Sequence, residues 1–202
     1  MKKVSARAFF ALLLAGILLA GTIGFVISYF INAGKWVTFS GSPHVYTGTN
    51  LNSGIVTDRD GTLLLDSTDG RAYSDNAATR TSTMHLLGDR YGYVYAPLLG
   101  HFADRMIGYD VVNGLYKLRE ETATAQLTIS AHVQNVALQA LAGRKGTVGV
   151  YNYQTGEILC AVSSPSYDPD NVPDIENDTT GAYNGVYVNR FFDAVYTPGS
   201  IY

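Results

Sequence analysis

The first pattern along the chain is an absence of polar alternation. From Ala8 to Ile31 no charged residue interrupts a continuous apolar run. As a helix this run spans about 36 Å, enough to cross a hydrocarbon core of about 30 Å. Lys2, Lys3 and Arg7 precede it, and Tyr29 and Trp36 fall near its far end, where amphipathic rings favour the membrane interface. The basic cluster predicts a cytoplasmic N-terminus and an extracytoplasmic remainder. Two readings of the run stand: an uncleaved single-pass anchor, which its length favours, and a signal peptide cleaved near Ala20, Gly21 or Gly24.

Beyond the run the pattern shortens to element length. Residues 37–52 are rich in Ser, Gly, Thr and Asn and read as a juxtamembrane linker. SGIVTDRDGTLLLDS then sets two β-prone runs about an Asp60-Gly61 turn, which predicts a hairpin with Asp58, Arg59 and Asp60 bracing the turn. Residues 71–119 alternate short polar and tyrosine-rich pieces, and their tyrosines suit packing, the simpler reading, as well as they suit a ligand groove. LTI predicts a short strand at 127–129, and Ser130 is placed to cap the helix that follows. Val133, Val136, Ala137, Ala140 and Leu141 share one helical face, with Gly143 as a stop. GTVGVYNYQTGEILCAVSSPSYDP predicts two strands joined at Gln154-Thr155-Gly156 and ended by Pro165 and Pro169. Residues 168–183 read as a surface loop.

Composition narrows the function classes. The net charge of −3, with both signs interspersed, gives no basic footprint for nucleic acid. The single cysteine, Cys160, excludes an internal disulfide framework, and its apolar neighbours predict a buried core residue. His44, His85, His101 and His132 share no metal-ligand spacing, so neither a metal nor a cofactor is expected.

The candidate chemistry lies in YTPGSIY, residues 196–202. A serine at a helix N-terminus with a lysine three residues later makes an activated nucleophile. The positive end of the helix lowers the lysine's pKa so that its amine accepts the serine proton. The serine's own unpaired backbone N–H helps hold an oxyanion. Taken alone, Pro198-Gly199-Ser200 is also an ordinary turn leading to an N-cap.

The order of motifs before it changes that reading. LTISAHVQ with its Gln-bearing helix, Thr155-Gly156-Glu157-Ile158-Leu159, Pro165-Ser166-Tyr167-Asp168-Pro169, Asn189-Arg190, and Tyr196 with Pro198-Gly199-Ser200 resemble the start of the transpeptidase domain of class B penicillin-binding proteins. GIVTDRDGTLLL resembles the family's Asp-Arg-Asn-Gly-like hairpin. HLLGD and IGYD resemble its non-catalytic N-terminal domain, of the dimerisation type described in penicillin-binding protein A relatives. Ser53 stands where that hairpin has Arg, and Ser130 where the family's strand ends in Asp. The family's lysine falls at position 203, so the 202 residues are expected to be inactive alone.

The resemblance implies an α+β fold in three parts: a tip and anchor at 1–35, a non-catalytic domain at 36–125, and the beginning of a transpeptidase domain at 126–202. It implies a bacterial cell-membrane D,D-transpeptidase with Ser200 as nucleophile and no cofactor. Peptidoglycan stem peptides and β-lactams would be its ligands, the membrane its contact through 8–31, and a homodimer or cell-wall synthesis proteins its partners. Two other functions stay open, a membrane-anchored binding or dimerisation module without catalysis, and a β-lactam sensor.

Overall fold

A computed structural model describes residues 2–37, 54–68, 71–94, 98, 106, 109–110, 112, 115–116 and 123–196. The expected linker lies mostly outside these residues, and so does Ser200.

Helix α1 covers Lys2–Val37 and contains the whole apolar run. Phe9, Leu13, Ile17, Leu18, Ile23 and Phe25 are exposed on different sides of it, the arrangement of a helix meant for an apolar solvent. Its polar groups are satisfied within the helix: Thr22 Oγ1 donates to the Leu18 carbonyl and Asn32 Nδ2 to the Ser28 carbonyl. The helix is long and apolar enough to span a membrane from Val4 to Val37.

The expected hairpin forms from β1 (Ile55–Thr57) and β2 (Leu63–Asp66), paired antiparallel with Val56 opposite Leu65. Strand β3 (Ala72–Tyr73) extends it beyond β2, followed by helix α2 (Ala77–Leu87). Strands β4 (Tyr109–Asp110) and β5 (Leu115–Tyr116) form a separate antiparallel pair. Strand β6 (Thr124–Gln126) runs parallel to β1, giving a four-stranded sheet in the order β3-β2-β1-β6. Gly54, at φ +106°, permits that junction, because a Cβ there would lie 2.3 Å from the Ala123 carbonyl oxygen.

The strand expected at 127–129 lies three residues earlier, at 124–126. Its partner decides this: β1 ends at Thr57, where the chain enters the turn, and the Leu127 N–H bonded to the Thr57 carbonyl at 2.9 Å follows the last strand pair. Helix α3 (Ala131–Leu141) then begins with Ser130 at its N-cap, but the serine side chain makes no cap hydrogen bond. Asp58 supplies one instead. Its Oδ2 accepts from the Ala131 N–H at 3.0 Å, while Oδ1 accepts from the N–H groups of Asp60 and Thr62 at 2.9 and 2.7 Å. The turn-bracing aspartate therefore also joins the hairpin to a helix far along the chain.

The buried face of α3 is rotated from the expected one. Ala131, Gln134 and Ala137 are buried, whereas Val136 and Ala140 are exposed. The helix ends at Leu141 and Ala142 occupies the left-handed region at φ 48°. Substituting Ala142→Gly is therefore expected to stabilise the fold by about 1 kcal/mol, because glycine adopts that conformation without steric cost. A rise in the thermal midpoint would show it, and a fall would contradict it.

Strands β7 (Gly146–Tyr151) and β8 (Ile158–Ser164) form the second expected hairpin, with Val148 opposite Val162 and Val150 opposite Cys160. The Asn152 side chain accepts from the N–H groups of Gln154 and Thr155, fixing the turn where it was expected. Cys160 is fully buried with Ala137 and Val162, and burial pushes its thiol pKa up.

Candidate active-site approach

Among the described residues, two of the motif groups ahead of Ser200, residues 165–169 and Asn189, form a packed seat on helix α2. Arg80 organises one side. Its Nε and Nη2 donate to the two oxygens of Asp168 at 2.7 and 2.6 Å, and its Nη1 donates to the carbonyls of Ser74 and Asp75. The Arg80 hydrogen bonds hold the Asp168 carboxyl below its ordinary pKa against the opposing effect of burial. Beside it, Ser166 Oγ donates to the Thr81 carbonyl at 2.6 Å, and Arg90 pairs with Asp170. Residues 168–170 were expected as free surface loop. They are tethered, because two arginines from the α2 region meet their carboxylates.

The other side is held by His85 and Asn189. His85 is 2% exposed, and its Nε2 hydrogen-bonds the Val186 carbonyl at 2.7 Å. A carbonyl only accepts, so Nε2 carries the proton. Asn189 Nδ2 donates back to the His85 carbonyl at 2.8 Å, and its Oδ1 accepts from the N–H groups of Phe191 and Phe192. Arg190 donates its backbone N–H to Ser163 Oγ and its Nη1 to the Gly185 carbonyl. The Asn-Arg pair thus pins the backbone shortly before Tyr196. Phe191 lies on β7 where Gly149 leaves room, since a Cβ there would sit 2.4 Å from the ring.

Behind this seat, the C-terminal end of α2 is closed by side chains from β3 and the residue before it. Arg71 donates to the carbonyls of Leu87 and Asp89 at 2.6 and 2.7 Å, and Tyr73 Oη donates to the Gly88 carbonyl at 2.8 Å. A buried cation here complements the negative end of the helix. Burial pushes the Tyr73 pKa up to about 12, which keeps its hydroxyl a donor. Helix α3 joins through Gln134, whose Oε1 accepts from the Ala161 N–H at 2.8 Å.

Burial pushes the His85 pKa down from 6.5 to about 4, assisted by Arg190 and opposed by the Val186 hydrogen bond. The sign follows directly. Above pH 6.5 His85 is neutral in both states and adds no pH dependence. Below 6.5 the unfolded chain takes a proton that the folded chain refuses until about pH 4, so stability falls with pH across that window. The loss is roughly 3 kcal/mol when complete. A His85→Gln variant melted from pH 7 to pH 4 is expected to lose less stability than the parent. Parallel curves would contradict this.

The sequence singled out Ser200 as the catalytic residue, with its backbone N–H in the oxyanion hole, and it lies outside the described residues. Asp168 and Asn189, present in the motifs, are both tied to α2, whereas Arg190 ties back to Ser163 and Gly185. His85, Arg71 and Arg80 were not read as connected to the motif series, because their partners lie far away in sequence. Among the described residues no group of three metal-ligating side chains occurs. A groove of about 330 Å³ runs beside β6, lined by Met106 and residues 123–128, none of which belongs to the motif series.

Comparison with known proteins bears on this seat. Residues 146–202 match the penicillin binding protein transpeptidase domain. This segment is similar to that family. The family segment contains β7, β8, the tethered loop, the Asn189–Arg190 pin and Ser200, in keeping with the class B resemblance read from the motifs. Over 80 residues the chain is 39% identical to the peptidoglycan D,D-transpeptidase MrdA of Acinetobacter baumannii, covering 37% of this chain and 12% of that protein. It also aligns with the crystal structure of Pseudomonas aeruginosa PBP2 in complex with WCK 5153, at 26% identity and a TM-score of 0.44, covering 58% of this chain and 28% of that one. The chain thus spans about an eighth of the curated relative it matches.

Proposed function

We propose that the chain is part of a membrane-anchored peptidoglycan D,D-transpeptidase whose nucleophile is Ser200. The observation that carries the proposal is the family match over residues 146–202, which includes Ser200 and the three motif groups preceding it. Helix α1 is the anchor, with the N-terminus cytoplasmic and the remainder outside the membrane. The division into 1–35, 36–125 and 126–202 belongs to the same proposal.

Ser200 Oγ attacks the carbonyl between the two terminal D-alanines of a stem peptide. Its proton passes to the family's lysine amine, at position 203 of a longer protein, and on to the departing D-alanine amine. The carbonyl oxygen gathers negative charge in the tetrahedral intermediate, which the Ser200 backbone N–H stabilises. The resulting ester is resolved by an amine of a neighbouring stem, forming the cross-link and freeing the serine. A β-lactam acylates the same oxygen through opening of its ring.

The test uses a protein that carries residues 1–202 and continues through the family's lysine, incubated with a D-Ala-D-Ala-terminated stem peptide donor and an amine acceptor. Release of D-alanine with formation of the cross-linked product is expected, and Ser200→Ala is expected to reduce it by at least a thousandfold. Equal turnover by the Ser200→Ala variant would contradict the proposal.

A further inference from the structure

Outside the seat, three tyrosines form a continuous exposed strip. Tyr91 and Tyr93 come from the loop after α2, and Tyr187 from the turn that precedes Asn189. Their ring centroids are 6.0 Å apart for Tyr91 and Tyr93, and 5.5 Å for Tyr93 and Tyr187. The rings are tilted by 40° and 43°, and the residues are 66%, 62% and 40% exposed. Tyrosines used for packing bury their rings, as Tyr73 does at 5%. These three do the opposite while standing in a row.

The strip rests on a fixed base. Asp89, fully buried, accepts from the N–H groups of Val94 at 2.9 Å and Tyr91 at 3.3 Å, which locks the loop carrying the first two rings. Val94 and Val186, neighbours of Tyr93 and Tyr187, pack with Met84 and Tyr167 in one buried cluster. The rings are thus held by the backbone beneath them and not by burial of their own faces. Such an arrangement is preorganised, so a ligand meets little ordering cost.

We propose that Tyr91, Tyr93 and Tyr187 form a stacking platform for a β-1,4-linked amino-sugar glycan strand. A pyranose ring presents a flat apolar C–H face and a polar rim. A tyrosine offers the complementary pair, a broad ring face and a hydroxyl at its edge. A row of rings spaced like successive sugars suits a linear glycan better than a compact ligand. Phosphate-rich partners fit poorly, because the named charges around the strip include the carboxylates of Asp89 and Glu176 beside Tyr187, and Arg90 is already paired with Asp170. The choice of an amino-sugar strand rests on the cell-wall reading above. The platform would hold the glycan while stem peptides are processed elsewhere on the protein.

The full chain in detergent is mixed with a β-1,4-linked N-acetylglucosamine hexamer, and separately sedimented with purified peptidoglycan sacculi. The hexamer is expected to perturb tyrosine fluorescence and to compete with the sacculi. Tyr93→Ala, which removes the central ring, is expected to weaken both associations at least tenfold, while Tyr93→Phe keeps most of them. The rings are exposed, so unchanged thermal midpoints should accompany these effects. Sacculi binding that survives the Tyr91, Tyr93 and Tyr187 triple alanine variant, or that the hexamer does not displace, would overturn the proposal. Absence of hexamer binding by the parent chain would overturn it too. Penicillin labelling of a protein that continues through the family's lysine separates the two readings: it depends on Ser200 and is expected to be unchanged by Tyr93→Ala.

Discussion

Replacing Asp58 by Ala is expected to destabilise the folded body by about 4 kcal/mol, since three backbone N–H groups lose a charged acceptor. The carboxylate is 2% exposed and serves Asp60, Thr62 and Ala131 together. Water has poor access to replace it, so the turn and the first turn of α3 lose their partners at once. Asp58→Asn keeps one acceptor oxygen and places an amide donor opposite a donor, so its loss falls between the parent and the alanine variant. Burial alone would raise the Asp58 pKa, but the N–H groups of Ala131, Thr62 and Asp60 hold it below 3.8. This stabilisation is therefore present above pH 3.8 and is lost as the pH falls through the folded value. Urea unfolding of the full chain in detergent, followed by near-ultraviolet circular dichroism, measures the effect. An Asp58→Ala midpoint matching the parent would contradict the assignment.

Arg71→Ala is expected to have a comparable effect, a loss of about 4 kcal/mol, through a different mechanism. Two charge-assisted hydrogen bonds to the Leu87 and Asp89 carbonyls disappear, and each is worth about 1.5–3 kcal/mol. A cavity replaces the guanidinium beside Tyr73, whose ring it flanks at 5.6 Å. Arg71→Lys restores a charge at the helix end but cannot span both carbonyls in one plane, so it should recover at most half of the loss. Because α2 carries His85 and Arg80, the variant should also loosen the loop at 168–170. Hydrogen exchange is expected to quicken at Asp170 and Val186, whose environments depend on that helix. Unchanged exchange there, with lowered stability elsewhere, would separate the helix end from the seat.

The parts of this fold that were legible in the sequence are those with local grammar. The Asp60-Gly61 and Gln154-Thr155-Gly156 turns bind the chain to itself within a few residues, so both hairpins could be read from order alone. Helix α3 was also legible, but its face was not. Gln134 is buried because its amide bridges Ala161 and Ser82, and no hydrophobic periodicity announces such an anchor. The capping role of Asp58 and the parallel β1–β6 pair depend on residues roughly seventy positions apart, beyond any local pattern. Helix α2 was hidden for a related reason. Thr79, Ser82 and Thr83 are buried on it, and their hydroxyls are satisfied by the Thr79 carbonyl and by Asn135 of α3. A polar helix face reads as loop until its partner is known. Tyr73 packs as the composition suggested, but Tyr91 and Tyr93 do not.

The candidate site shows the same division. Its motifs were legible as a series, and so was the family they resemble. Their physical role along the approach was not: Asp168, Asn189 and Arg190 act here as ties that fix the 163–190 segment, largely to α2. That arrangement ties the matched segment, around Asp168 and Asn189, to a helix that lies outside it.

Peptide mapping decides whether Ser200 is the acylated residue. A protein that carries residues 1–202 and continues through the family's lysine is treated with penicillin, digested, and analysed by mass spectrometry. A single adduct on Ser200, absent after Ser200→Ala and still formed by Tyr93→Ala, is the expected result. An adduct on another residue, or a protein that takes up no penicillin, would contradict the account.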